Sequence, residues 1–562
     1  MSAESQQSSG ESATTRRRVL STLAAVGIGS VAFQRAAAVQ AETSSAATVE
    51  SIKNAEWISG ITLSDEQRET AVNAINGVFS KRDQMRAVKV RYDTLPAIRF
   101  DPEIGVPGIQ QSSLDHPDYL SSAGAPAAIA ENADDVSFLT IRQLGKLLRD
   151  GKLTAVELAK QTIDRLRVAN ESLNCVVNFT EELALKQAAV ADRELSEGKD
   201  RGPLHGIPWG AKDLIAVKGY PTTWGAPQFQ NQVLPRTATV AKKLEQAGTV
   251  LVAKMSLGAL AMGDKWFGGQ TRNPWNPQQG SSGSSAGSAS AVAAGLLPFA
   301  LGSETLGSIV SPCKRCGVTG LRPTFGRVSR KDCMALSWTM DKIGPIARSV
   351  DDCGIVFNAI HGADDGDPTS VSRWFNWPMK LDLSQVKIGR IEGRRTSTAD
   401  EATLAFLEEL GADIVPIALP SEFPEWAISI MLDVEAATVF HDITAANNTE
   451  GLNQWPDIFR KSHFLPAIDY LHASRLRTRL IEHMADVFQQ VDLYVGGDDL
   501  GTCNLTGHPT IVLPTVMSDS KSHAQPICST LTSQLYNEAT LLAVANLLES
   551  RAGISEIRPS PE

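Results

Sequence analysis

The chain is short of several things that would settle its class at once. Its 562 residues hold only seven cysteines, an odd number and thinly spread, which excludes a disulfide scaffold. Cys313 and Cys316 have C-x-x-C spacing, but a zinc knuckle needs a second pair and none matches. A local disulfide and a pair of buried thiols both remain open there, and unpaired thiols fit better. The nine histidines are scattered and no H-E-x-x-H helix is present, which speaks against a metal, and no organic cofactor is expected. There is no excess of basic charge: 53 Lys and Arg stand against 63 Asp and Glu, for a formal net charge of -10. A nucleic-acid partner is therefore not expected. A phosphate loop of the G-x-x-x-x-G-K-[ST] type and a G-x-G-x-x-G turn between strand and helix are also missing, which sets nucleotides aside. The apolar stretch Val19 to Phe33 is too short, and too rich in Gly, Ser and Thr, for a comfortable membrane span.

What is present is an ordinary globular composition, 42% hydrophobic and 21% charged, enough for a sizeable core. The first 41 residues differ from the rest. Arg16, Arg17 and Arg18 precede the short apolar stretch, and Val39 and Ala41 follow as exit residues. That order reads as a signal peptide over residues 1–41, and the paired arginines resemble the twin-arginine type. An exported protein, periplasmic or otherwise extracytoplasmic, with no stable membrane span after processing, is the expectation.

Residues 42–136 read as a helical and irregular extension. Ser64 and Gln67 have capping-box spacing ahead of one helix, and a Pro- and Gly-rich tether follows. From residue 137 the rhythm changes. "TIRQLGKLLRDG", "TAVELAKQTIDRLR", "EELALKQAAVADRELSEG", "TVAKKLEQAG" and "ATLAFLEELG" read as helices, with Thr154 and Glu157 as a second capping box. "LNCVVNF", "HGIPWGAKD", "TVLVAK", "PFALGSE", "ADIVPIAL" and "VDLYVGG" read as strands between them. The alternation predicts an α/β fold with a covered, mostly parallel sheet. Functional residues then belong on loops beyond the carboxyl ends of strands. The segment 421–485 is rich in aromatic and apolar residues, which suit an acyl pocket or plain helix core equally.

The surviving chemistry is that of a serine hydrolase, in two versions. Gly283-Ser284-Ser285-Ala286-Gly287 fits G-x-S-x-G, with Ser285 as an elbow nucleophile and Asp498 and His508 to complete a triad. That version needs a strand immediately before the loop, where Pro274 and Pro277 stand instead. The other version uses no histidine and takes Lys212, Ser284 and Ser308.

"LHGIPWGAKDL" and "GSSGSSAGSASAVAAGLLPFALGSETLGSIVSPCKRCGVTGLRPTFGRVS", with "NLTGHPTIVLP" further on, closely resemble the amidase signature family. The resemblance runs from about residue 137 to the C-terminus. It implies one large α/β domain over 137–562, with a mixed sheet and helices on both faces. It also implies hydrolysis of a small-molecule or peptide amide through an acyl-enzyme, with Ser308 as nucleophile, Ser284 as a bridging serine preceded by a cis peptide, and Lys212 as base. The backbone N–H groups of Thr305, Leu306, Gly307 and Ser308 fall on the oxyanion hole. Gly283, Ser285 and Glu304 fall on its supporting loops.

Four positions depart from the pattern. Leu306 stands for a glycine, Glu304 for an aspartate, and Val310 for an arginine, so the usual Asp–Arg support is altered. Trp209 fills a place that is normally small or β-branched. Two other readings follow from the same resemblance: the glutamine-hydrolysing A-type component of an amidotransferase, and a catalytically weak binding protein on this fold.

Overall fold

The computed structural model describes residues 46–59, 62–87, 98–104, 136–394, 396–497, 500–519, 523–554 and 557–559. The expected signal over residues 1–41, and Asp498, lie outside them. The chain divides into two compact units, one ending at Val90 and one beginning at Arg91. In the first, helices Val49–Ser59 and Asp65–Ala87 pack together. The Ser64–Gln67 capping box is formed, with Gln67 N–H donating to Ser64 Oγ and Ser64 N–H to Gln67 Oε1. An Arg68–Glu56 ion pair at 2.6 Å ties the two helices.

The second unit is built on an eleven-stranded sheet. Its strands in chain order are β1 Val176–Phe179, β2 Pro208–Lys212, β3 Val250–Met255, β4 Phe299–Glu304, β5 Thr319–Arg322, β6 Lys342–Ala347, β7 Lys387–Ile391, β8 Asp413–Ile417, β9 Leu493–Val495, β10 Thr510–Met517 and β11 Pro526–Ser533. In space they run β1-β3-β2-β4-β6-β5-β10-β11-β9-β7-β8. Every residue of β2, β3 and β6 is buried, as expected for strands covered on both faces. Helices Ala155–Leu173, Glu181–Ser196, Ala286–Ala293, Val350–Ile360 and Glu538–Ala552 pack on the strands.

The sheet is mixed, but parallel pairs are not the majority: six of the ten neighbouring pairs are antiparallel. The reason lies in the connections. Where a helix separates two strands, as Thr239–Gln246 does before β3 and Thr398–Glu409 does before β8, the neighbours β2·β3 and β7·β8 are parallel. Where no helix is described in the link, as between β5 and β6 or between β10 and β11, the pair is antiparallel. The helix-strand rhythm reports only the first kind.

Residues 421–485 form a run of helices whose inner faces are core. Ile428, Met431, Ala473 and Leu480 pack with Met340 and Leu505. Buried Glu435 accepts from the hydroxyls of Ser337, Thr339 and Tyr470 at 2.7–2.8 Å, and Arg477 donates to the Thr339 carbonyl at 2.7 Å. These bonds fix the 337–341 segment, which leads into β6. No helix among the described residues is long and apolar enough to cross a membrane.

Candidate active site

Lys212 is the last residue of β2 and Glu304 the last of β4. The two strands are parallel neighbours, so their carboxyl ends lie at one edge of the sheet. The loop 305–308 leaves β4 at that edge and enters helix Val310–Cys316. The Gly- and Ser-rich segment arrives there ahead of helix Ala286–Ala293. The residues before it do not form a central strand. Asn276–Gly280 pairs only with Arg272–Asn273, in a small separate ribbon.

The small residues of this segment answer to close packing. A Cβ on Gly283 would sit 1.9 Å from the Gly263 carbonyl oxygen, so only glycine fits. Helix Ala286–Ala293 is buried along its whole length, and its hydroxyls are satisfied. Ser288 donates to the Leu301 carbonyl at 2.9 Å and Ser290 to the Arg272 carbonyl at 2.7 Å. The peptide bond between Gly283 and Ser284 is cis.

Lys212, Ser284 and Ser285 are all fully buried. Lys212 Nζ lies 2.8 Å from Ser284 Oγ, 3.0 Å from Ser285 Oγ and 2.9 Å from Ser303 Oγ. Burial disfavours its ammonium form and pulls it down to about 7, against the opposing pull of the Asp341 and Glu304 carboxylates. Next to it, Asp213 is held by the buried Lys254 ammonium at 2.6 Å and by the Thr223 N–H at 2.8 Å, which pins the end of β2.

Ser308 is half-buried, and its carbonyl accepts the Ser285 N–H at 3.1 Å. The two serine-bearing loops are thus joined by a main-chain bond. Ser285 itself is saturated: its hydroxyl donates to the Ser303 carbonyl at 3.2 Å, and its oxygen accepts the Ser303 N–H at 3.1 Å as well as facing Lys212. His508, the third member of the elbow version, gives no bond to Ser285. Its Nδ1 pairs with Thr506 Oγ1 at 2.7 Å, its ring stacks on Phe488, and burial pulls it down to about 3.

Glu304 does two things. One oxygen accepts the N–H groups of Ile309 and Val310 at 2.8 and 2.9 Å, fixing the chain just past Ser308. The other pairs with Arg322 and Asn504, each at 2.8 Å. Burial alone would raise this carboxyl; the Arg322 guanidinium and these donors outweigh it and hold it at about 2. Arg322 comes from β5, and it also donates to the His508 carbonyl at 3.0 Å. The carboxylate–guanidinium support is therefore present although Val310 stands where an arginine was expected; Val310 is core. Sequence reading missed Arg322, Asn504 and Asp341, since nothing local links them to the loop, and Ser303, whose reach to Lys212 depends on the pairing of β2 with β4.

In that loop Gly307 has φ +87°, a conformation that favours glycine, while Leu306 is half-buried. Thr305 Oγ1 donates to Asp341 Oδ1 at 2.6 Å, and Asp341 Oδ2 accepts the Leu336 and Ser337 N–H groups. A cavity beside the loop is lined by Ser303, Thr305, Leu214, Met334, Leu336 and Lys342, among others. Trp209 does not shape it. It is two positions from Ala211 and so faces away from Lys212, stacked on Phe299 in the core.

Glu304 and Arg322 are both fully buried, so Glu304→Gln leaves an uncompensated guanidinium. Equilibrium denaturation should show a loss of about 3–5 kcal/mol. A change below about 1 kcal/mol would mean the pair is not what holds the loop.

A family model described as Amidase matches residues 157–496. The A subunit of the glutamyl-tRNA(Gln) amidotransferase of Coxiella burnetii is 35% identical over 315 residues, covering 53% of this chain and 65% of that protein. The chain thus spans just under two thirds of that relative. Its counterpart in Nitrosomonas europaea is 30% identical over 481 residues, covering 75% of this chain and 98% of its own length. Among solved structures, the native peptide amidase of Stenotrophomonas maltophilia superposes with a TM-score of 0.66 at 28% identity, over 75% of this chain and 98% of that one. The chain belongs to the amidase signature family.

Proposed function

We propose that this chain hydrolyses an amide carbon–nitrogen bond, giving a carboxylic acid and ammonia or an amine, through an acyl-enzyme on Ser308. The observation that carries the reading is the buried amine of Lys212 at 2.8 Å from Ser284 Oγ, on a loop bonded to the Ser308 main chain. A serine hydroxyl needs an adjacent base, and a lysine serves only when neutral. Held at about 7, this one is neutral in a large fraction at physiological pH.

Ser308 Oγ attacks the amide carbonyl carbon. Its proton passes to Ser284 Oγ as the Ser284 proton passes to Lys212 Nζ. The tetrahedral oxyanion is met by the N–H groups of residues 305–308, an effect typically worth about 2.7–4 kcal/mol for one donor. The C–N bond then breaks, and the leaving nitrogen takes the proton back from Lys212 through Ser284. Water attacks the ester along the same relay, the acid is released and Ser308 recovers its proton. No metal or organic cofactor has a step.

The substrate is a small-molecule or peptide amide; the peptide amidase named above supports the second. The two amidotransferase relatives favour a second reading, a glutamine-hydrolysing component that passes ammonia on. The two separate on one assay: the purified chain, alone, against short aliphatic, aryl and peptide amides and glutamine. Release of amine or ammonia from simple amides supports the amidase. Activity on glutamine only, and only with partner proteins added, would overturn it.

Residues 1–41 go with this reading as a twin-arginine export signal. N-terminal sequencing of the protein recovered from the periplasm should begin at Glu42. An uncleaved chain found only in the cytoplasm would contradict export.

A further inference from the structure

Lys212 Nζ has four oxygen neighbours. They are Ser284 Oγ at 2.8 Å, Ser303 Oγ at 2.9 Å, Ser285 Oγ at 3.0 Å and the Ser303 carbonyl at 3.2 Å. A neutral amine has two N–H donors and one lone pair, so the neighbours cannot be equivalent. Ser285 decides the first assignment. Its proton is committed to the Ser303 carbonyl and one lone pair to the Ser303 N–H. Its remaining lone pair can only accept, and an N–H of Lys212 fills it. One N–H and the lone pair of the amine are then left for two hydroxyls.

We propose that Ser303 is a positioning residue, whose side-chain hydroxyl accepts the second N–H of Lys212 and thereby aims the amine lone pair at the hydroxyl of Ser284. The Ser303 carbonyl is a poor substitute, since it is longer and already takes the Ser285 proton. Ser303 lies on β4 two residues before the loop, and it also lines the cavity beside that loop. The same strand residue thus sets the roll of the base and borders the space beside the reacting centre. The inference rests on the Ser308–Ser284–Lys212 relay.

The charged groups acting on Lys212 are Asp341 and Glu304, both carboxylates. Both stay in place when Ser303 is changed. In the ammonium form the same bond to the Ser303 hydroxyl becomes charge-assisted and stronger, so removing it disfavours the charged form more than the neutral one. The acid limb of the rate profile then moves to lower pH, while loss of aim lowers the plateau. A packing defect alone would lower the plateau and leave the limb where it was.

The test is kcat/KM for an amide substrate over pH 5–10, with fluorophosphonate labelling rates beside it, for Ser303→Ala, Ser303→Gly and Ser303→Thr in the full chain. The two variants without a hydroxyl should lose about tenfold at the plateau, the effect of one hydrogen bond to a charged group, and shift the limb to lower pH. Ser303→Thr should stay within about threefold with the wild-type limb. A wild-type limb in either Ser303→Ala or Ser303→Gly overturns the proposal, whatever the plateau. If the wild type itself fails to label at Ser308, the relay falls and this inference with it; labelling at Ser308 with an unmoved limb rejects Ser303 alone.

Discussion

Ser308→Ala should reduce kcat/KM for amide hydrolysis by on the order of 10⁴-fold or more, the scale at which hydrolases lose activity without their nucleophile. What remains comes from binding and from the backbone donors of the loop, which the change leaves alone. Ser285→Ala should cost far less, although that serine sits in the one G-x-S-x-G match of the chain. Its hydroxyl is buried and saturated by Lys212 and by both main-chain groups of Ser303. It braces the loop and has no proton to give. Steady-state rates of the two variants on one amide measure the contrast, and equal losses would remove the distinction between them.

Lys212→Ala should have the second-largest effect, about 10²–10⁴-fold, the usual range for a general base. Its signature is in the pH dependence. The neutral amine is the active form, so the wild-type rate should climb as pH rises toward 7 and flatten above it, where the lysine has lost its proton. Without Lys212 the bend near 7 should vanish. A variant that keeps the bend would assign it to another group. His508 is a poor candidate, since burial holds it far below that range.

Much of the site was legible in the sequence because it depends on local rules. "GIPWGAK" is an apolar strand that ends on a lysine, and the strand carries that lysine to the edge of the sheet. The density of Gly and Ser over 280–290 marks a backbone under close contact, as the lack of room for a Cβ at Gly283 shows. The capping boxes at Ser64 and Thr154 are formed as their spacing predicts. What stayed hidden is set across the sheet. Arg322 reaches Glu304 because β5, β6 and β4 are successive neighbours, and no pattern in the sequence states that order. Ser303 reaches Lys212 because β2 and β4 are in parallel register. Strand direction was misread for the same reason: helices announce crossovers, while the direct returns between antiparallel strands leave no periodic signal.

The loss expected from Val310 is also reduced by what the fold supplies. Glu304 is long enough to reach both the N–H groups after Ser308 and a guanidinium from a different strand. The support for the chain around Ser308 is rebuilt rather than missing. This argues for an active enzyme over a silent scaffold.

The most direct test of the central claim is the position of a fluorophosphonate adduct, mapped by mass spectrometry of the labelled protein. The account predicts a single adduct on Ser308, absent in Ser308→Ala and formed slowly in Lys212→Ala. An adduct on Ser285, or no adduct on a protein that hydrolyses amides, would contradict it.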